Sequence, residues 1–257
     1  MLLIGILLLF LSITAHELGH AFACRRSGVM MNEICLLGFG PKLFSFFLPL
    51  FFGKTPITIR LIPFGGFVSI SQISLLRKAY SNPYRIDGYI SGAGPVASIL
   101  FAGILYAISA LVSGSATNKE LIIIGLLLLI GSFPRYSYHA ILPAGFLMLA
   151  MLAFASFQNP MKMVQGMGSI LTIVDMMRLT SHSIIEICSF VGTISLSIGL
   201  INMLPLSVLD GGKLLMSCSS YRHKRVRAVI GISTAIPLLA IIILALYGDI
   251  RTVVSWI

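Results

Sequence analysis

Apolar residues run almost without interruption through four stretches of this chain, and each stretch ends in a short polar or basic segment. A transmembrane helix needs about 20 apolar residues to cross about 30 Å of hydrocarbon, and all four stretches have about that length. We therefore predict membrane spans at residues 1–23, 89–112, 187–209 and 228–247. The fold class that this pattern predicts is an α-helical polytopic membrane protein.

The region between the second and third of these spans has a less regular pattern. Residues 121–157 hold two shorter apolar stretches on either side of PRYSYH, which fit two short crossings or a hydrophobic hairpin. Residues 158–186 are more polar and rich in methionine, with the helical spacing that is typical of an amphipathic surface helix. We interpret residues 113–186 as a variable hydrophobic and amphipathic insert, so about four to six transmembrane helices result.

A segment of different character, residues 28–80, follows the first span. It contains TPITIRLIPFGGFVSI, where alternating β-branched residues predict strands and the glycine pair predicts a turn. Single strands cannot cross hydrocarbon, because their backbone groups would lack partners. We expect a small membrane-associated β-hairpin or sheet that packs on the helices, within one membrane-embedded domain over residues 1–257.

Composition agrees with a membrane protein, since 57% of the residues are hydrophobic and 10% are charged. The net charge of +10 arises from basic clusters beside the apolar spans, which favours topology signals over nucleic-acid binding. Basic residues between 24 and 88 and between 213 and 227 predict that both regions are cytoplasmic. The N-terminus is then outside, and residues 113–186 cross the membrane twice or not at all. Six spans are favoured, and the first is expected to be retained because no basic residue precedes Arg25.

Two histidines and a glutamate lie together in the first span, in the sequence HELGH. His16 and His20 are four residues apart, so they share one helix face and can bind one metal ion. Glu17 is placed to take a proton from a water at that metal, which is the H-E-x-x-H pattern of zinc peptidases. Random placement of this composition gives roughly 0.0015 such motifs, and charged residues in a span are costly. We predict one catalytic Zn²⁺ per chain.

A catalytic zinc takes three protein ligands and leaves one position for water. The third ligand must lie at the depth of His16, near the cytoplasmic end of the first span. Asp210 meets this condition, because it follows the 187–209 span on the same side of the membrane. Pro205 disturbs the helix just before it, so the backbone is free to bend toward the metal. Depth therefore selects Asp210 as the third ligand.

Two other side chains are weaker candidates for metal binding. His139 lies in the insert and stays open as an alternative ligand. Cys24 is near His20 in sequence, but a small buried residue is the simpler interpretation. The four cysteines have no C-x-x-C spacing and predict no disulfide framework.

Five motifs then occur in one order along the chain: HELGH, GFGPKLFS, IPFGGFV, SGAGPVASI and INMLPLSVLDGG. In this combination the chain resembles the site-2 protease family of intramembrane zinc metalloproteases. The resemblance implies that His16, His20 and Asp210 bind zinc and that Glu17 is the base. It also implies that Asn202 holds the substrate backbone or stabilises the oxyanion.

The resemblance is nearest to the bacterial branch that cleaves anti-sigma factors and signal-peptide remnants. It implies peptide-bond hydrolysis within or near the transmembrane segment of a single-span substrate. It further implies a place in the bacterial inner membrane, with the active site near the cytoplasmic side. The expected partners are therefore a membrane-protein substrate and the lipid bilayer, without nucleic acid, and no oligomeric state is predicted.

Glycines in the β region are candidates for substrate binding, because the edge of such a sheet can add the substrate as a further strand. The candidates are Gly38, Gly40, Gly65 and Gly66. Ordinary turn chemistry explains these glycines about equally well. Gly92 and Gly94, in the second span, are expected to allow close helix packing.

Two departures from the bacterial branch affect what the resemblance implies. Ser207 stands where a second proline is common, which changes the local bend. Residues 113–186 are too short and too apolar for the PDZ domains that often screen substrates. Two other functions are considered. An inactive zinc-binding scaffold would not need Glu17. An ion or proton transporter is expected to have paired broken helices, whereas the sequence indicates one such segment, around Pro205.

Overall fold

A computed structural model describes residues 1–62, 65–71, 73–74, 83–114, 183–206 and 209–218, with isolated positions between 124 and 250. The insert 121–157, most of 158–186, the predicted span 228–247, Ser207 and His139 lie wholly or largely outside these residues. The elements in chain order are α1 (Leu2–Arg26), β1 (Met31–Leu37), β2 (Phe39–Phe47), α2 (Pro49–Phe52), β3 (Pro56–Ile62), β4 (Phe67–Ile70), α3 (Pro83–Ser113), α4 (Ile184–Asn202) and α5 (Asp210–Cys218).

Three of the described helices are long and apolar enough to cross a membrane. They are α1, the Gly88–Ser113 part of α3, and α4. The first two coincide with the predicted spans 1–23 and 89–112. A total of four to six spans stays a prediction, because the remaining candidates lie outside the described residues.

Helices α1, α3 and α4 pack side by side with alternating direction. Residue numbers rise along α1 from His16 to His20 while those of their partners on α3 fall from Ser98 to Ile90. Helices α3 and α4 are likewise antiparallel, because Ser195 donates to the Ser98 carbonyl while the later Ser109 bonds the earlier Ser189. The side of the membrane on which each end lies stays a prediction.

Helix α4 is shorter than the predicted 187–209 span and ends at Asn202. The amides of Met203 and Leu204 bond the carbonyls three residues before them, which tightens and closes the last turn. Pro205 then has no N–H to continue the ladder. Asp210 is therefore the first residue of a new helix, α5, and does not end the preceding span.

The β region forms a four-stranded sheet in the order β2-β3-β1-β4. Strands β1 and β3 are parallel, and β2 and β4 pair antiparallel with β3 and β1 respectively. A cluster of Ala21 from α1 with Ile34, Phe52 and Ile57 joins the sheet to the first helix. The prediction of a small sheet packed on the helices is confirmed.

A charged cluster ties the strands of this sheet together. Glu33 on β1 accepts hydrogen bonds from Thr58 and Arg60 on β3, at 2.5 and 2.9 Å, and Lys42 on β2 lies 3.3 Å away. Burial raises the pKa of the Glu33 carboxyl, but these hydrogen bonds more than offset it, and the net pKa lies below its ordinary value. The ionised carboxylate therefore stabilises the sheet.

Candidate active site

Three predicted ligands converge where α1 meets the start of α5. Oδ2 of Asp210 lies 3.1 Å from Nε2 of His16 and 3.1 Å from Nε2 of His20. The two Nε2 atoms are 3.3 Å apart. All three residues are buried, with Asp210 only 3% exposed. Asp210 is thus brought into one buried group with two residues that are 190 or more positions away in sequence.

The positions of the protons on these side chains favour a cation between them. His20 Nδ1 lies 2.7 Å from the Ile90 carbonyl oxygen, which accepts and cannot donate, so Nδ1 carries the proton. In neutral His20, Nε2 then presents a lone pair toward a carboxylate oxygen that is also an acceptor. Two facing acceptors repel unless a proton or a metal ion lies between them. The three donor atoms lie within 4.8 Å of one another, as a group that could hold one metal ion.

Helix α3 supplies the hydrogen-bond partners of the Nδ1 atoms of both imidazoles. Ser98 Oγ lies 2.9 Å from His16 Nδ1, and Ser98 is fully buried. The Ile90 carbonyl serves His20 in the same way. Such outer hydrogen bonds fix the orientation and tautomer of a histidine ligand and leave Nε2 for the metal. These two partners were not predicted from the sequence, because a serine or a carbonyl in an apolar span gives no local signal.

Gly94 on α3 provides the space that the imidazoles occupy. A methyl group at this position would lie 2.6 Å from Cε1 of His20 and 2.8 Å from Nε2 of His16. Gly19 on α1 has a related role, because a methyl group there would lie 2.6 Å from Ala97 Cβ. The close packing predicted for Gly94 therefore serves the histidine pair itself.

Glu17 faces a cavity of about 240 Å³ that the three predicted ligands also line. It is 8% exposed and packs against the backbone that leads into β4. A methyl group on Gly66 would lie 2.6 Å from Glu17 Cγ and 2.8 Å from the Cys35 carbonyl. Gly66 is thus required where the β region approaches the carboxylate.

The other predicted site residues are Asn202 and three glycines of the β region. Asn202, the last residue of α4, lines it and donates from Nδ2 to the Ile198 carbonyl at 3.0 Å. Gly65 accepts from the Gly38 amide at 2.8 Å, which links the two glycine segments. Gly38, Gly40 and Gly65 are not among the described residues that line the cavity.

Cys24 and Lys213 are two further side chains close in sequence to the predicted ligands. Cys24 is fully buried against Ala23, Val29 and Ile90, as a small packing residue would be, and is outside the metal-binding group. Lys213 was noted in the sequence only as a topology signal. In the structure its Nζ lies 2.9 Å from Oδ1 of Asp210, and it lines the cavity.

Comparison with known proteins agrees with this arrangement. A Clostridium perfringens protein with a provisional zinc metalloprotease name is 34% identical over 113 residues, which are 42% of this chain and 32% of that protein. The zinc metalloprotease RasP of Bacillus licheniformis and the regulator of sigma-W protease RasP of Bacillus subtilis are each 46% identical over 56 residues. Those residues are 22% of this chain and 12% of either relative.

The matched segments thus span about a third or less of the curated relatives' own lengths. The model of peptidase family M50, in contrast, matches residues 4–246, which include all three predicted ligands and Glu17. The chain belongs to peptidase family M50.

Proposed function

We propose that the protein is a zinc-dependent intramembrane endopeptidase that binds one zinc ion through His16, His20 and Asp210. The observation that carries this proposal is the convergence of one metal-binding atom from each of these three residues beside Glu17. They line a cavity bordered by helices apolar enough to cross a membrane. Membership of an M50 peptidase family and the zinc metalloprotease names of the relatives support the same activity. A scaffold that kept zinc only for stability would not need a carboxylate at the position of Glu17.

The chain's own residues supply proton transfer and substrate binding. When bound, zinc lowers the pKa of a coordinated water to about 7 and polarises the substrate carbonyl. The Glu17 carboxylate takes a proton from the attacking water and delivers it to the leaving amine. The Asn202 amide, at the end of α4, stabilises negative charge on the substrate carbonyl oxygen by donating a hydrogen bond.

Strand β4 is the edge on which we propose that the substrate binds. Among the described strands it is the last in the order β2-β3-β1-β4, and Phe67, Val68 and Ile70 line the cavity. A transmembrane helix hides its peptide bonds in its own hydrogen bonds, so a scissile segment must be unwound first. An edge strand offers the unwound segment backbone hydrogen bonds in place of those it has lost. We propose that Gly65 and Gly66 allow the bound segment to approach Glu17.

The proposed substrates are single-span membrane proteins, cleaved within or near the membrane segment. Similarity to a protein named as a regulator of sigma-W favours substrates of the anti-sigma-factor type, beside signal-peptide remnants. Arg25 and Arg26, at the end of α1 that follows the histidines, favour a site near the cytoplasmic face of a bacterial inner membrane and an outside N-terminus.

Co-expression with a panel of single-span membrane proteins tests this activity and its substrate class. We expect the wild-type chain to release a fragment whose new terminus, mapped by mass spectrometry, lies within or beside the span. Glu17→Gln should abolish that fragment. Glu186→Gln is the matched control, because glutamine preserves the capping box of Ser183 and Glu186 at the start of α4. Cleavage that persists in Glu17→Gln would contradict the proposal.

A further inference from the structure

The two carboxylate oxygens of Asp210 have different partners. Oδ2 lies 3.1 Å from each imidazole Nε2, whereas Oδ1 lies 2.9 Å from Nζ of Lys213. Lys213 approaches from the cavity side, with its side chain 55% exposed, while the Asp210 side chain is only 4% exposed. One oxygen thus contacts both imidazoles, and the other contacts Lys213.

The backbone of α5 fixes this division. Lys213 is three residues after Asp210, so both side chains lie on one face of the first turn. Leu214 packs in a buried cluster with Val96 and Ile99 of α3. A methyl group on Gly211 would lie 2.6 Å from the Leu204 carbonyl, so the first turn of α5 lies directly against the chain that follows α4.

The number of Asp210 oxygens that face the metal decides how many positions stay open. A carboxylate can give one oxygen or both to a metal ion. With Oδ2 alone, the protein supplies three donor atoms and leaves a position for water, as catalytic zinc sites require. If Oδ1 also turned inward, it would compete for that position.

We propose that Lys213 is a positioning residue that holds Asp210 to a single metal-facing oxygen. This inference rests on the proposed function and deepens it. The ammonium of this ion pair is largely exposed, which limits the stability that the pair adds by itself. The hydrogen bond nevertheless has a definite consequence here, because its loss frees a buried carboxylate oxygen beside the ligand group.

The test compares wild-type protein with Lys213→Met, Lys213→Ala and Lys213→Arg, purified in detergent and loaded with Co²⁺. Visible absorption of Co²⁺ reports coordination number, because four-coordinate sites absorb more strongly than five-coordinate sites. We expect one Co²⁺ per chain in every variant, with weaker absorption for the Met and Ala variants. Lys213→Arg keeps a donor for Oδ1 and should resemble wild type. Lys54→Met, at an exposed lysine outside the cavity, is the matched control.

Zinc affinity and cleavage add two independent readouts. The Met and Ala variants should bind Zn²⁺ at least as tightly as wild type, because a positive charge is lost and a ligand oxygen is gained. Their kcat for a cleavable substrate should fall about 10-fold to 100-fold, as is usual when the surroundings of a metal ligand are altered. This division between binding and turnover is not expected from a residue that only stabilises the fold.

Absorption that matches wild type in both the Met and the Ala variant would overturn the inference, and so would weaker Zn²⁺ binding. If the Met variant does not fold, the Ala variant decides by the same criteria, and failure of both to fold would assign Lys213 a structural role instead. The Co²⁺ spectrum does not depend on cleavage. Absence of peptidase activity in wild type would therefore refute the proposed function without affecting this test.

Discussion

Replacing Ser98 by alanine removes the hydroxyl that lies 2.9 Å from Nδ1 of His16. When His16 Nε2 binds a metal, Nδ1 carries the proton and needs an acceptor. Ser98 is fully buried, so water does not readily replace its hydroxyl. An unsatisfied buried donor costs about 1–3 kcal/mol. In the metal-free protein the imidazole can place its proton on Nε2, toward Asp210, so a buried Nδ1–H without a partner is enforced only when a metal occupies Nε2. The loss therefore falls on metal binding.

About 1.4 kcal/mol corresponds to a tenfold change in an equilibrium constant. Ser98→Ala should therefore weaken zinc binding about 5-fold to 150-fold, in line with the roughly 10-fold to 100-fold usual for outer-shell partners of metal ligands. Competition with a chromophoric zinc chelator in detergent measures this change. Ser195→Ala is a matched control, because it removes an equally buried hydroxyl that donates to the Ser98 carbonyl. Equal zinc affinities of wild type and Ser98→Ala would refute the role assigned to this hydroxyl.

Three further predictions concern two glycines that have no room for a side chain and the charge of Glu33. Gly94→Ala should abolish stoichiometric zinc binding, measured by metal analysis, because its methyl group would overlap both imidazoles; Gly125→Ala, whose methyl group would have no described residue within 4 Å, should not change it. Gly66→Ala should lower kcat and leave zinc content unchanged, because its methyl group would displace Glu17 and not the ligands. Glu33→Gln should lower the thermal midpoint at pH 7, and the difference should shrink as the pH falls below the ordinary glutamate pKa; an equal difference at pH 7 and at acid pH would contradict this.

The sign of the Glu33 effect follows from its lowered pKa in the folded protein. The unfolded chain binds the proton more tightly, so the carboxylate contributes stability above the unfolded-state pKa. That contribution is lost as the pH falls through the lower, folded-state pKa. Thr58 and Arg60 are the hydrogen-bond partners whose replacement should give the same acid dependence.

The convergence of the three predicted ligands could be anticipated from the sequence, because helical spacing and the position of residues along the spans both leave a strong trace. His16 and His20 are one turn apart, and acidic residues are so scarce that depth alone selected Asp210. The end of α4 was predicted seven residues too late, because residues 203–209 are as apolar as the helix before them. There, tight turns and Pro205 outweigh hydrophobicity.

The supporting contacts could not be predicted in the same way. Ser98 reaches His16 across 82 positions, and its hydroxyl lies in an apolar run with no local pattern to mark it. Lys213 resembled a topology signal because charge counting ignores which atom a side chain contacts. The parallel pairing of β1 with β3, with β2 at the outside, also depends on tertiary packing and not on alternation within a strand.

The most direct test of Glu17 as the general base measures zinc content and cleavage together. Wild type and Glu17→Gln are compared in proteoliposomes that contain a single-span substrate. We expect about one zinc per chain in both proteins, because Glu17 is not one of the three proposed ligands. We also expect that Glu17→Gln cleaves about 10²-fold to 10⁴-fold more slowly, the usual contribution of a general base. Cleavage by Glu17→Gln at the wild-type rate, with zinc still bound, would contradict the central claim.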